Sequence, residues 1–321
     1  MKAVFFEHYG PPEVLQYSER PRPEPRADQV LIEVHAVAVN PRDWLLREGR
    51  YQFRHLLGGF PIIPGSDVSG VIVATGKDVQ GFRQGDEVFA MQSMLGRMGG
   101  YAEYVAVKEV CLARKPNNVT HAQAAAVPCA GLTSWQALLK NGKMKQGDKV
   151  VVVGASGGVG HYAVQIARHF GAHVIGVCST ANVEFVKSLG AHEVIDYKKE
   201  KFNERLRDCD IVYDTIGRES LATCAKVLNP NGVYITTIPN GRTAVEWLTT
   251  SLRHRLSQRG QRASVIMCEA AGADLAEMAA LMNHGKLRSQ IDQTFPLKDA
   301  IEAHRKSRSF RTRGKLVLTV K

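Results

Sequence analysis

Between residues 150 and 238, short apolar runs alternate with amphipathic stretches. The first run is four consecutive valines at 150–153, and β-branched residues with no polar break suit a strand buried on both faces of a parallel sheet. It ends in GASGGVG (154–160). HYAVQIARHFGA then follows, with Ala163, Ile166, Ala167 and Phe170 at helical spacing, so the pattern predicts strand, glycine turn and helix in succession. AHVIGVCS (172–179), EVIDY (193–197), CDIVYDTIG (209–217) and GVYITTI (232–238) predict further strands, with NVEFVKSLG and SLATCAKVL as helices between them. Such a β-α series is a doubly wound α/β fold around a parallel sheet. The first 120 residues differ: MKAVFFE, QVLIEVHAVAVN, DVSGVIVATG, DEVFAMQ and YAEYVAVKEV are short β runs broken by proline and glycine. The tail returns to that character, with QTFPL, a helix over LKDAIEAHRKSRS and a last strand GKLVLTV. The expected organisation is a mostly β domain over 1–123, an inserted dinucleotide-binding domain over 124–270, and a segment 271–321 that completes the first domain.

The glycine turn carries the first chemical signal. Backbone N–H groups at a helix start face a phosphate well, and missing side chains let a pyrophosphate approach. The frame here is Ala155-x-Gly157-x-x-Gly160, with alanine in the first glycine place and an extra Gly158. An NAD site places an acid about 20 residues on, at the end of the second strand. This strand ends Cys178-Ser179-Thr180, and the next acid is Glu184. A carboxylate there repels a 2′-phosphate, whereas a hydroxyl can donate to it. Tyr197 with Lys198 and Lys199 ends the third strand and offers a ring, a donor and positive charge, although a solvated strand end explains the lysines equally well. The expectation is NADPH over NADH.

Composition narrows the setting. A chain of 321 residues holds two ordinary domains, and 44% hydrophobic with 23% charged residues describes a soluble globular protein. No apolar run is long enough to span a bilayer, and MKAVFFEHYG has neither a signal-peptide core nor transit-peptide character. The six cysteines are scattered with no C-x-x-C pair, which points to a reducing compartment, with the cytoplasm as default. Net charge is +11, concentrated in RHRLSQRGQR (253–262) and HRKSRSFRTRGK (304–315). Solvated helix faces explain these runs. No helix-turn-helix, zinc-finger or RNP signature supports nucleic acid, and an anionic membrane surface remains a weak contact at most.

These segments, taken in order, resemble the medium-chain dehydrogenase/reductase superfamily, and within it the zinc-free, zeta-crystallin-like quinone oxidoreductases. The likeness rests on AVAVNPRDWLLREGRY (36–51), IPGSDVSGVIVATG (63–76), GDEVFA (85–90), GGYAEYVAV (99–107), AAAVPCAGLTSWQAL (124–138), GASGGVG (154–160), LGAHEVIDY (189–197) and RTRGKLVL (311–318). The resemblance implies that the β-rich part is a GroES-like catalytic domain. Zinc alcohol dehydrogenases of the same superfamily place a Cys and a His-Glu pair where this chain has Asn40-Pro41-Arg42-Asp43 and Gly65-Ser66-Asp67. No cluster of zinc ligands is evident, so no metal is expected.

Without a Lewis acid, oxidising a simple alcohol is hard, whereas an electron-poor quinone or enone accepts hydride given only positioning and hydrogen bonds. By similarity, Asn40 lies near the nicotinamide and acceptor, and Tyr51 lines the acceptor cleft; these are the catalytic candidates. Asp43 matches a common family position suited to capping the helix DWLLREG. The candidate cofactor contacts are Asn40, Thr133, Ser156, Gly157, Gly158, Val159, Ser179, Tyr197, Ile238 and Arg313. The aromatic, glycine-containing stretch 50–60 suits a wall that admits flat acceptors. A competing reading is a non-catalytic NADPH-binding protein. GVYITTI (232–238) reads as the strand near the far edge of the sheet and ASVIMCE (263–269) follows it, and an exposed apolar edge predicts a homodimer whose contact includes Ile266 and its neighbours.

Overall fold

A computed structural model describes residues 1–56, 59–92, 98–257 and 259–321, so positions 57–58 of the aromatic wall and 258 of the basic run lie outside the described residues. The chain divides into two compact units, Met1–Leu132 with Glu269–Lys321, and Thr133–Cys268.

In the first unit the strand Gln29–Val39 is the organiser. It pairs antiparallel with Asp67–Thr75, Tyr104–Lys108 and Lys315–Thr319, while Glu87–Met91, Leu112–Arg114 and Ile291–Pro296 extend the sheet. Val30, Ile32, Val34, Val37 and Val39 enter one core with Val68, Ile72, Val88 and Leu318. Immediately after this strand, Asn40 is extended (φ −125°) and the helix Pro41–Arg47 begins with proline at its first position, where the missing N–H costs nothing. The carboxylate of Asp43 accepts the Asn40 backbone N–H at 2.8 Å, the capping role its sequence position suggests.

The helix His121–Ala125 explains where the units part. Thr120 caps it through the Gln123 N–H, and Ala125 and Ala126 pack against Ala36, Ala38 and Val317 of the first unit's sheet. These alanines therefore belong with the β-rich unit, and the division falls at 132/133 and 268/269, against the 123/124 and 270/271 expected from sequence.

The second unit is a six-stranded parallel sheet. Its order is Glu193–Asp196, His173–Cys178, Lys149–Val153, Cys209–Asp214, Leu228–Thr236 and Arg262–Val265. That is third, second, first, fourth, fifth, sixth, the doubly wound arrangement whose strand ends carry ligands at the point of reversal. Val150, Val151 and Val152 are fully buried, as a central strand requires. Helices form at Gly160–His169 and Val183–Ser188 as the spacing predicts. SLATCAKVL is helical only over Leu221–Cys224, because Val227 and Leu228 turn into the core and the next strand begins there. A long helix, Gly241–Ser257, precedes the last strand and carries no amphipathic signature facing inward. Its buried positions include Thr243 and Thr250, with Thr250 Oγ1 accepting the Ala263 N–H at 3.0 Å, while Val245, Leu248 and Leu252 are exposed. Among the described residues no helix is long and apolar enough to cross a membrane.

Candidate functional site

In the second unit the departure from the glycine frame resolves at once. The left-handed conformation falls on Gly154 (φ +79°), one position early, so Ala155 needs no glycine-like freedom. Both Gly154 and Ala155 N–H groups donate to the Val177 carbonyl at 3.0 Å, fastening the turn to the second strand. A Cβ on Gly160 would stand 2.2 Å from the Gly154 carbonyl oxygen, so only glycine lets the helix start pack on the strand end. A Cβ on Gly157 meets nothing nearer than 3.3 Å. Among the described residues, the N–H groups of Ser156, Gly158, Val159 and Gly160 donate to no protein acceptor. Four unpaired donors at a helix start, on a turn bare of side chains, fit a dinucleotide phosphate.

Neighbouring strand ends supply the rest. Asn182, which sequence reading missed, donates through Nδ2 to Ser156 Oγ at 3.1 Å and to Ser179 Oγ at 3.2 Å, tying the end of the second strand to the glycine turn. Tyr197, one residue past its strand, and Ile238, two past its own, are exposed, at 56% and 51%. Thr133 is buried, with its carbonyl accepting the Tyr213 hydroxyl at 3.4 Å, and the Val159 carbonyl accepts Ser134 Oγ at 2.9 Å. Asp196 is a second residue that the sequence left unflagged. Parallel register sets it beside Cys178, where Thr180 Oγ1 donates to it at 2.7 Å and the Lys198 N–H at 3.0 Å. The Thr180 hydroxyl, foremost, holds its carboxyl below the usual range. Arg313 belongs to the other unit, exposed on the approach to its last strand.

The first unit gathers a buried polar cluster around Asn40. Register between Gln29–Val39 and Asp67–Thr75 pairs Ala38 with Asp67, and register with Lys315–Thr319 pairs Val39 with Leu316, so Asn40 meets residues from both neighbours. Lys315 Nζ donates to Asn40 Oδ1 at 2.6 Å, and Asn40 Nδ2 donates to Asp67 Oδ2 at 3.0 Å. Asp67 also accepts the Cys129 N–H at 3.0 Å and the Ser66 hydroxyl at 3.3 Å. Asn40, Asp67 and Lys315 are each at most 4% exposed. Burial pushes the Asp67 carboxyl up, against the Lys315 charge and the Asn40 donor.

Behind them Asp43 is fully buried, and burial raises its carboxyl to about 6 despite the Asn40 N–H. Tyr101 OH donates to Asp43 Oδ2 at 3.1 Å and lies 3.1 Å from His304 Nε2, while His304 Nδ1 lies 3.1 Å from Arg47 Nη1. A guanidinium only donates, so Nδ1 accepts, Nε2 carries the proton, and the chain runs Arg47 to His304 to Tyr101 to Asp43. Burial, with Arg47 beside it, lowers His304 to about 3 and keeps it neutral. Tyr51 is 6% exposed at the far end of the capped helix, with the Arg42 guanidinium 5.1 Å from its ring centre; burial raises its hydroxyl. Sequence reading named Asn40 as a candidate and Asp43 as a cap, gave Asp67 only as standing where a zinc ligand would be, and missed Lys315, Tyr101 and His304. Among the described residues no group of three or more His, Cys, Asp or Glu side chains could hold a metal ion.

Comparison with known proteins fits this geometry. Residues 26–117 match the alcohol dehydrogenase GroES-like domain, and residues 189–318 match a domain described as zinc-binding dehydrogenase. The chain is 35% identical over 330 residues to a chloroplast envelope quinone oxidoreductase homolog of Arabidopsis thaliana, covering 99% of this chain and 98% of that protein. It is 39% identical over 243 residues to a 2-methylene-furan-3-one reductase of Solanum lycopersicum, covering 73% and 61%. Among solved structures, the quinone oxidoreductase from Coxiella burnetii superposes with TM-score 0.91 at 33% identity over 100% and 99% of the chains. The Escherichia coli quinone oxidoreductase complexed with NADPH gives TM-score 0.84 at 26% identity over 99% and 100%. This chain belongs to the medium-chain dehydrogenase/reductase superfamily, in its quinone oxidoreductase branch.

Proposed function

We propose that this protein is an NADPH-dependent reductase of quinones or α,β-unsaturated carbonyls. The observation that carries the reading is the row of unpaired N–H groups on the glycine turn, beside a second strand that ends in Ser179 rather than an acid. Support comes from the Escherichia coli relative complexed with NADPH and from relatives named for quinone and methylene-furanone reduction.

When bound, NADPH supplies the hydride. Ser156, Gly158, Val159 and Gly160 would hold its pyrophosphate by backbone N–H, and Ser179 with Tyr197 would face the 2′-phosphate end. Asn40 donates to the acceptor oxygen as negative charge gathers there, and Tyr51 lines the acceptor's place. The enolate or hydroquinone oxygen takes its proton from solvent, so no metal is required. The test is a panel of small quinones and enones, scored by loss of the NADPH absorbance band. Turnover with at least one class supports the reading. NADPH binding with no turnover across the panel favours the non-catalytic alternative.

A further inference from the structure

The Asn40 side chain is held at both ends by opposite charges. Its carbonyl oxygen receives the Lys315 ammonium at 2.6 Å, and its amide nitrogen gives one hydrogen to the Asp67 carboxylate at 3.0 Å. An ammonium can only donate and an ionised carboxylate can only accept, so the amide is fixed in one orientation; a flip would set donor against donor and acceptor against acceptor. Both partners also favour the charge-separated form of the amide, with negative charge on oxygen facing Lys315 and positive character on nitrogen facing Asp67. That polarisation strengthens the second N–H of Nδ2 as a donor.

Lys315 has no role in the sheet that would need a charge. Its backbone pairs in the Lys315–Thr319 strand, its ammonium is buried, and among the described residues its other hydrogen bond is to the Val39 carbonyl at 3.4 Å, beside its attraction to the Asp67 carboxylate. A buried cation and a buried carboxylate bridged by one amide are costly to maintain for stability alone, since apolar residues of similar size often serve a core as well. We propose that Lys315 and Asp67 are positioning residues that set the direction and donor strength of the Asn40 amide. This inference rests on Asn40 meeting the acceptor oxygen, as proposed above.

Two measurements test it. In ligand-free protein carrying isotope-labelled asparagine, the Asn40 side-chain amide resonances are identified by their loss in Asn40→Ala. They should lie far apart and exchange slowly, and should collapse toward free-amide positions in Lys315→Met and in Asp67→Asn; unmoved resonances would overturn the proposal. In turnover, each variant should lower kcat by about tenfold to a hundredfold with KM for NADPH unchanged, and Lys315→Arg should recover most of the loss. In an Asn40→Ala background, Lys315→Met should cost no further kcat. An equal loss in that background means a merely structural role and overturns the proposal. If Asn40→Ala alone leaves kcat untouched, the role given to Asn40 in turnover fails, and the resonances still decide whether Lys315 and Asp67 orient the amide. Asp67→Asn, close in shape to the parent, carries the test where Lys315→Met yields no folded protein.

Discussion

Gly157 and Gly160 differ in what an added methyl group would meet, and so in what it would break. At Gly160 the Cβ would press on the Gly154 carbonyl oxygen at 2.2 Å, a backbone atom that cannot step aside. Gly160→Ala should cost about 1–3 kcal/mol of stability, read as a lower urea midpoint. At Gly157 the same oxygen is 3.3 Å away, a tight but much milder contact, so Gly157→Ala should lower the urea midpoint far less than Gly160→Ala while nucleotide affinity falls, as read by fluorescence titration. Equal effects of the two substitutions on both readouts would contradict the packing described. Ser179 supports a second prediction: Ser179→Asp should narrow or invert a preference for NADPH over NADH, because the new carboxylate repels a 2′-phosphate and binds ribose hydroxyls instead. Equal affinity of the parent protein for both nucleotides would defeat that argument. The glycines and Ser179 were legible because a turn and the strand after it are local. Asn182 and Asp196 were not, since only the three-dimensional packing of strand ends brings Asn182 to Ser156 and Asp196 to Thr180.

The helix Pro41–Arg47 begins on one buried acid whose ionisation opposes that of a neighbour. Asp43 is raised to about 6 from 3.8, so the stability it lends is present below its ordinary value and is lost as pH rises to 6. His304 is lowered to about 3 from 6.5, so the stability it lends is present above 6.5 and is lost as pH falls toward 3. Between about pH 4 and 6 the two slopes have opposite sign and largely cancel. Relative to the parent chain, His304→Gln should therefore gain stability on acidification through this range, and Asp43→Asn should lose it. Urea midpoints at several pH values check this, and slopes of the same sign in both variants would refute it. A capping role for Asp43 was implied by its family position, although the helix it caps begins at Pro41 rather than at Asp43 itself. Tyr101 and His304 were not, because 203 residues separate them and no local pattern marks their meeting. The Gly241–Ser257 helix is a different case: its buried positions Thr243 and Thr250 bear hydroxyls, whereas Val245, Leu248 and Leu252, at helical spacing, are exposed, so the apolar stripe does not mark the face that packs.

The chain holds a parallel sheet, read from its alternating strands and helices, and a mostly antiparallel sheet to which the tail adds Ile291–Pro296 and Lys315–Thr319. That the sheet is parallel and doubly wound was legible because strands alternate with helices; the join near 132 was not, since alanines carry no sign of the sheet they pack on. The strand Arg262–Val265 ends the parallel sheet, and Ile266 beyond it is already buried at 7% within one chain, leaving Met267, at 59% exposed, as the apolar residue facing outward. A homodimer joined along this edge through Ile266 and its neighbours should therefore bury Met267 most, and Met267→Glu should shift sedimentation at moderate salt toward the mass of one 35.3 kDa chain. A parent protein that sediments as a single chain would exclude the dimer. Reduction itself is tested most directly with NADPH deuterated at the transferable position of nicotinamide C4 and an enone acceptor. Direct hydride transfer puts one deuterium on the β-carbon of the product, read by mass spectrometry, in protein shown by metal analysis to hold far less than one zinc per chain. A product without deuterium, or no product from any enone or quinone despite bound NADPH, would contradict the account.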